Sequence, residues 1–182
     1  MIYTAAVPQL TKPVDARDHI RGNAAATATL VEYGDYTSPA CRDDEWIVKA
    51  MLQVMPAELC FVFRHFPLRV AHPQAQHAAE AAEAAGAQGK FWDMHDYLFE
   101  RQRHLGDAEL LRYGAEIGLN TARYNDELMR EVYASRVHAD LIGGIQSGVT
   151  DTPTFFINGT RYDGPLRFET LLAAVQAAGA QH

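Results

Sequence analysis

Hydrophobic positions in this chain switch between a period of two and a period near 3.6. The run Thr29-Leu30-Val31-Glu32-Tyr33 is short, β-branched and aromatic, which predicts a strand. Gly34 and Asp35 open a loop. Ser38-Pro39 then reads as a helix start, with serine as N-cap and proline in the first helical position. Ile47, Met51 and Val54 recur at helical spacing through 39–55, with Trp46 and Ala50 beside them, and Pro56 ends the helix. Residues 59–66 are near-continuously apolar and aromatic, the pattern of a strand covered on both faces. Strand, helix and strand make a βαβ unit whose crossover is expected to be right-handed.

From Pro73 to about Gly148 the pattern is helical almost throughout. The stretch 74–87 is rich in Ala and Glu, both strong helix formers, and its Glu80 and Glu83 read as a solvated face. Segments 91–103, 107–117, 121–130 and a helix running toward Gln146 follow, with Phe91, Trp92, Tyr97 and Phe99 assigned to the core of this block. Residues 154–157 form a strand, Asn158-Gly159 is a two-residue hairpin turn, residues 160–162 return, and 168–178 is a last helix. Residues 1–28 form a weakly patterned polar lead-in. The order βαβ, helical block, ββα predicts an α/β fold with a four-stranded sheet interrupted by a helical insert.

At 182 residues and 48% apolar composition the chain resembles an ordinary globular protein. A chain of this length can remove roughly 70% of its unfolded surface from water without a disulfide or metal. The net charge of −7 argues against a nucleic-acid binder. No stretch reaches about 18 apolar residues, so no membrane span is expected. Met1 to Pro8 contains no basic segment followed by an apolar run, which predicts neither signal nor transit peptide and a cytoplasmic location. Two cysteines, Cys41 and Cys60, are too few for a disulfide scaffold. Cys60 opens the second strand and reads as core, at the opposite edge of the sheet from Cys41, with no bond between the two expected. Eight histidines show no zinc-ligand spacing; His72 and His77 lie five apart and His65 falls at a strand end. Neither a metal nor a resident cofactor is expected. His65 and His95 remain candidates to face the active edge.

The segment from Glu32 to Cys41 carries the chemistry. A strand that feeds a helix puts the helix N-terminus at the carboxyl edge of the sheet, where open α/β sheets place ligands. Free N–H groups and the helix dipole there favour negative charge and lower the pKa of a thiol. Here the first position is a hydroxyl, Ser38, and the thiol comes one turn later, at Cys41. On the residues alone, Ser38 reads first as a helix cap, and Cys41 reads equally as a buried, inert thiol.

The segment Val31 to Cys41 resembles the active-site entry of DsbA-like disulfide oxidoreductases, and is similar to bacterial thioredoxin-like proteins of the type also fused to some sodium/proton antiporters. Further similar stretches are Phe61-Val62-Phe63-Arg64-His65-Phe66-Pro67-Leu68, Ala78-Ala79-Glu80-Ala81-Ala82, Gly89-Lys90-Phe91-Trp92-Asp93-Met94-His95 and the run Gly148 to Gly159. Together they span about residues 14–178. The resemblance implies a thioredoxin-like fold, with a core at about 14–66 and 132–178 and a helical insert at about 67–131. It also implies Cys-x-x-Cys at 38–41, where this chain has Ser38-Pro39-Ala40-Cys41. By position, Ser38 replaces the exposed nucleophile and Cys41 keeps the resolving thiol, so the ordinary dithiol cycle is lost. Thr152-Pro153 matches the family's cis-proline loop, which with Pro39 would border an extended substrate. Glu32 matches the buried acid that exchanges protons with the inner cysteine.

The resemblance therefore implies a thiol-disulfide oxidoreductase homologue with a degenerate site, acting through Cys41 alone or with glutathione or protein thiols as partners. A glutathione-dependent transferase or isomerase would instead use the Ser38 hydroxyl to donate to a glutathione thiolate. A redox-inactive module would bind a peptide or partner at the same groove.

Overall fold

The computed structural model describes residues 7–68 and 74–181. The expectations drawn from residues 1–6, and those resting on His72 and Pro73, lie outside the described residues. One mixed sheet is built from β1 (His19–Gly22), β2 (Ala28–Gly34), β3 (Leu59–His65), β4 (Thr154–Ile157) and β5 (Thr160–Tyr162), in the order β1-β3-β2-β4-β5. β2 and β3 run parallel, with Leu30 opposite Phe61 and Glu32 opposite Phe63. They are joined by α1 (Pro39–Val54), as a parallel pair requires. β4 lies antiparallel to β2 and turns into β5 through Asn158 and Gly159, whose φ values of 46° and 84° are those a tight hairpin turn demands.

Among the described residues the sheet has five strands, not the four expected. The extra one, β1, is the sequence His-Ile-Arg-Gly, too short and too mixed in polarity to show a period. Its pairing with β3, His19 opposite Phe63, comes from a partner more than forty residues away.

Alternate side chains of the strands feed two cores. Ala28, Leu30, Phe61, Phe63 and Phe155 face one side, where Cys41, Ile47, Val48 and Met51 of α1 meet them with Leu171 and Val175 of α7 (Phe168–Gly179). Each such Leu or Phe side chain contributes roughly 1.5–3 kcal/mol by leaving water. The apolar stripe of α1 therefore runs through Val48 rather than through Trp46 and Val54, both 58% exposed. Val31, Tyr33, Cys60, Val62 and Phe156 face the other side. There Arg64 reaches back to the N-terminal segment, bonding Asp18 and the carbonyls of Lys12 and Pro13.

Between β3 and β4 lie α2 (Ala75–Gly86), α3 (Phe91–Glu100), α4 (Asp107–Glu116), α5 (Thr121–Met129) and α6 (Ala134–Gln146). Phe91 and Phe99 join the same core as the sheet, with Trp92 and Tyr97 packed against it. The reading of Glu80 and Glu83 as a solvated face is overturned: both are buried. α2 touches α3, α4, α5 and α6, so the turns that carry Glu80 and Glu83 are enclosed, and the helix meets water mainly near its start, at His77. Glu83 accepts from His19 and His65, and Glu80 accepts from Gln76. Among the described residues no helix is long and apolar enough to cross a membrane.

Candidate active site

β2 ends at Gly34, and four residues separate it from the start of α1 at Pro39. Asp35 shapes that turn. Its Oδ1 accepts from the Thr37 amide and hydroxyl at 2.7 and 2.6 Å, and its Oδ2 accepts from the Leu68 amide at 2.9 Å. Gly34 is required here, because a Cβ would lie 2.4 Å from the Phe63 ring and 2.7 Å from Glu32 Oε1. Ser38 takes the N-cap position with extended backbone angles, and Pro39 follows in the first turn, exposed to solvent. The Ser38 Oγ accepts from the Cys41 amide at 3.4 Å and donates to the Thr152 carbonyl at 3.3 Å. A cap of this kind contributes about 1 kcal/mol to its helix. The Thr152–Pro153 peptide bond is cis. Ser38, Cys41 and the Thr152-Pro153 loop, separated by more than a hundred residues of sequence, thus meet at one edge of the sheet.

Neither partner of the Ser38 hydroxyl is a base, so nothing raises its poor nucleophilicity. Ser38 itself is only 5% exposed. The sulfur at this edge is no freer. Cys41 is 1% exposed, and its Sγ accepts from the Asp35 amide at 3.5 Å. Burial pushes the thiol pKa well up, and Glu32, once ionised, adds to the rise; the hydrogen bond from the Asp35 amide and the nearby hydroxyls of Ser38 and Thr152 only partly oppose them. Glu32 is 2% exposed with its Oε1 unpartnered, and burial holds its carboxyl far above the usual carboxylate range, reinforced by Glu45 and Asp44. Thr152 Oγ1 is likewise buried without a partner.

A second layer ties this edge to the helical block. Gln102, in the turn after α3, donates to the carbonyls of Tyr36 and Ser38 at 2.9 and 2.7 Å. The Tyr36 hydroxyl meets His95 Nδ1 at 3.1 Å, and His95 Nε2 meets Glu45 at 3.2 Å. Gln102 escapes sequence reading altogether: its partners are about sixty residues away and its own neighbourhood has no periodic signal. His95 touches the active edge through Tyr36, and His65 packs its ring against Tyr36 at 5.9 Å. Cys60 lies on the opposite face of the sheet from Cys41, buried among Val31 and Val62.

The profile of a thioredoxin family matches residues 15–177. The chain is a DsbA-like thioredoxin-family domain. The domain is 45% identical over 172 residues to a Na(+)/H(+) antiporter NhaA 3 of Salinispora tropica and 40% identical over 173 residues to an NhaA 1 of Mycobacterium sp.. It spans 94% of itself but only about a quarter of the length of the first of these relatives. Among solved structures it superposes on oxidised BdbD from Bacillus subtilis with a TM-score of 0.85 at 20% identity, covering 96% of this chain and 97% of that one. A thioredoxin-like oxidoreductase from Silicibacter pomeroyi gives 0.80 at 26% identity, over 90% of this domain and 93% of that chain. DsbA2 of Pseudomonas aeruginosa gives 0.69 at 26%, over 91% and 95%. The domain thus shares the fold and family of DsbA-like thioredoxin-fold oxidoreductases.

Proposed function

We propose that this domain is a thiol-disulfide oxidoreductase homologue in which disulfide exchange has been given up and the groove beside Pro153 holds an extended polypeptide. One observation carries the reading. The residue at the nucleophile's place, Ser38, is a hydroxyl already bonded to the Thr152 carbonyl, while the nearest sulfur, Cys41, is sealed from solvent and held protonated by burial. A thiol exchange needs an exposed thiolate, and a buried thiol with a raised pKa supplies neither condition. The Thr152-Pro153 loop offers what an extended chain requires. Thr152 offers its amide, at present donating to Asp151 Oδ1 at 2.8 Å, and the exposed Asp151 side chain can yield that place to an incoming carbonyl. Thiol-bearing polypeptides of a reducing cytoplasm are the partner class that fits this ancestry.

The test is a disulfide-reduction assay of the parent beside Ser38→Cys. The parent is expected to be inactive and the variant to gain activity by orders of magnitude, since it recovers a thiol at a helix N-terminus. Parent activity equal to that of the variant would overturn the reading in favour of Cys41 acting alone. Calorimetric binding of glutathione by the parent at millimolar ligand would replace it with the glutathione-linked reading.

A further inference from the structure

We infer that His19, His65 and Glu83 form a binding site for a divalent transition metal, zinc above all. The three come from three different elements. His19 stands opposite Phe63 in the β1–β3 ladder, so His65, two residues further along β3, shares its face of the sheet. α2 lays Glu83 over the pair. His19 Nε2 and His65 Nε2 each lie 2.9 Å from Glu83 Oε1, and the ligand atoms of all three residues fall within 4.8 Å of one another. Zinc takes imidazole nitrogen and carboxylate oxygen at about 2.0–2.2 Å, so neighbouring ligands in a tetrahedral shell stand a little over 3 Å apart. The present separations reach that spacing with small side-chain rotations. Two imidazoles and one carboxylate on rigid elements leave a fourth position for water.

Burial and bracing suit the role. The His19 ring is stacked on Phe91 with centroids 3.4 Å apart and planes 6° from parallel, which fixes its orientation. His65 is anchored by its backbone amide, which donates to Asp140. The side chains of His65 and Glu83 are almost wholly enclosed, whereas that of His19 is 18% exposed and gives an ion its way in. Glu83 already sets a carboxylate oxygen between the two rings, where an ion would draw all three side chains together. Each ring would carry its proton on Nδ1 when Nε2 binds the ion. One cation competes. Arg136 Nε lies 3.7 Å from Glu83 Oε1, but its guanidinium is gripped from the other side by Asp140, which can carry it alone.

The spacing 19, 65, 83 matches no zinc motif, which is why the expectation of no metal followed from the sequence. The cluster is also independent of the reading of Ser38, and its test does not involve that residue. The full chain, freed of metal with a chelator, is titrated with zinc chloride by calorimetry, and cobalt(II) is added separately to record its visible ligand-field absorption. The parent is expected to bind one zinc ion at micromolar concentration or tighter and to give the intense cobalt spectrum of a four-coordinate site. His19→Ala, at a partly exposed position, is expected to weaken zinc on the order of 100-fold with an unchanged circular dichroism spectrum. Glu83→Gln is expected to do the same where it folds, Arg136→Gln to tighten zinc several-fold, and the exposed His138→Ala to leave it unaltered. No binding by the parent at micromolar zinc, or equal binding by His19→Ala, overturns the proposal; the first makes the trio a hydrogen-bonded core cluster and the second places the ion on surface histidines.

Discussion

Arg64 and Glu32 are both sealed into this sheet, one on each face, and they are treated in opposite ways. Arg64, 0% exposed, has every edge of its guanidinium met: Asp18 at 2.8 and 2.9 Å, the carbonyls of Lys12 and Pro13, and the Tyr33 hydroxyl. Burial alone would lower its pKa, yet the Asp18 contact carries it upward, so it stays charged. Glu32 has an oxygen with no partner, and burial keeps it neutral far above the ordinary range. A buried polar group in a native protein is ordinarily satisfied. Arg64 obeys that rule and fastens the N-terminal segment to the sheet. Glu32 breaks it, beside Cys41 at the edge where Ser38 and Thr152 meet. The difference separates side chains that hold the fold from one that the fold merely tolerates.

The comparison breaks first at Arg64. Arg64→Ala strands Asp18 in the interior and is expected to cost about 3–5 kcal/mol, read from urea unfolding. A loss below about 1 kcal/mol would mean that Asp18 finds water or another donor, and that the two faces differ less than the distances imply.

Glu32 comes next, and its effect depends on pH. Its folded pKa lies above the ordinary 4.5, so between those two values the folded state keeps a proton that the unfolded chain has released. Stability of the parent therefore falls as pH rises through that window, by up to about 1.4 kcal/mol per pH unit. Glu32→Gln carries no such loss. Thermal melts of the two proteins should diverge in the variant's favour as pH increases from the acid end. Parallel curves would show that Glu32 has an unseen partner.

The smallest change is at Gln102. Removing its two bonds in Gln102→Ala is expected to lower stability by about 1 kcal/mol and to speed labelling of Cys41 by a thiol reagent, because the turn carrying Ser38 loses its brace. Unchanged labelling would assign the closure of that edge to Asp35 alone.

Legibility in the sequence follows the range of the interactions. β2, α1 and β3 announce themselves through local pattern, and Asn158-Gly159 announces the second hairpin, because period, caps and turns are properties of neighbouring residues. Ser38, Cys41, Thr152 and Pro153 are located by resemblance, and the structure brings them together. What escaped depends on distant partners. β1 exists through its ladder with β3, Gln102 through carbonyls more than sixty residues away, and Glu83 through histidines 64 and 18 residues before it. The Ala-rich helix misled for the same reason: its glutamates face other elements, and nothing local distinguishes that from facing water.

With one thiol enclosed on either side of the sheet, the native molecule has no way to form a disulfide within itself. A thiol oxidant reaches these two cysteines freely only while the chain is still threading into shape, so their protection is kinetic: whatever slows folding lengthens the interval in which they can be captured.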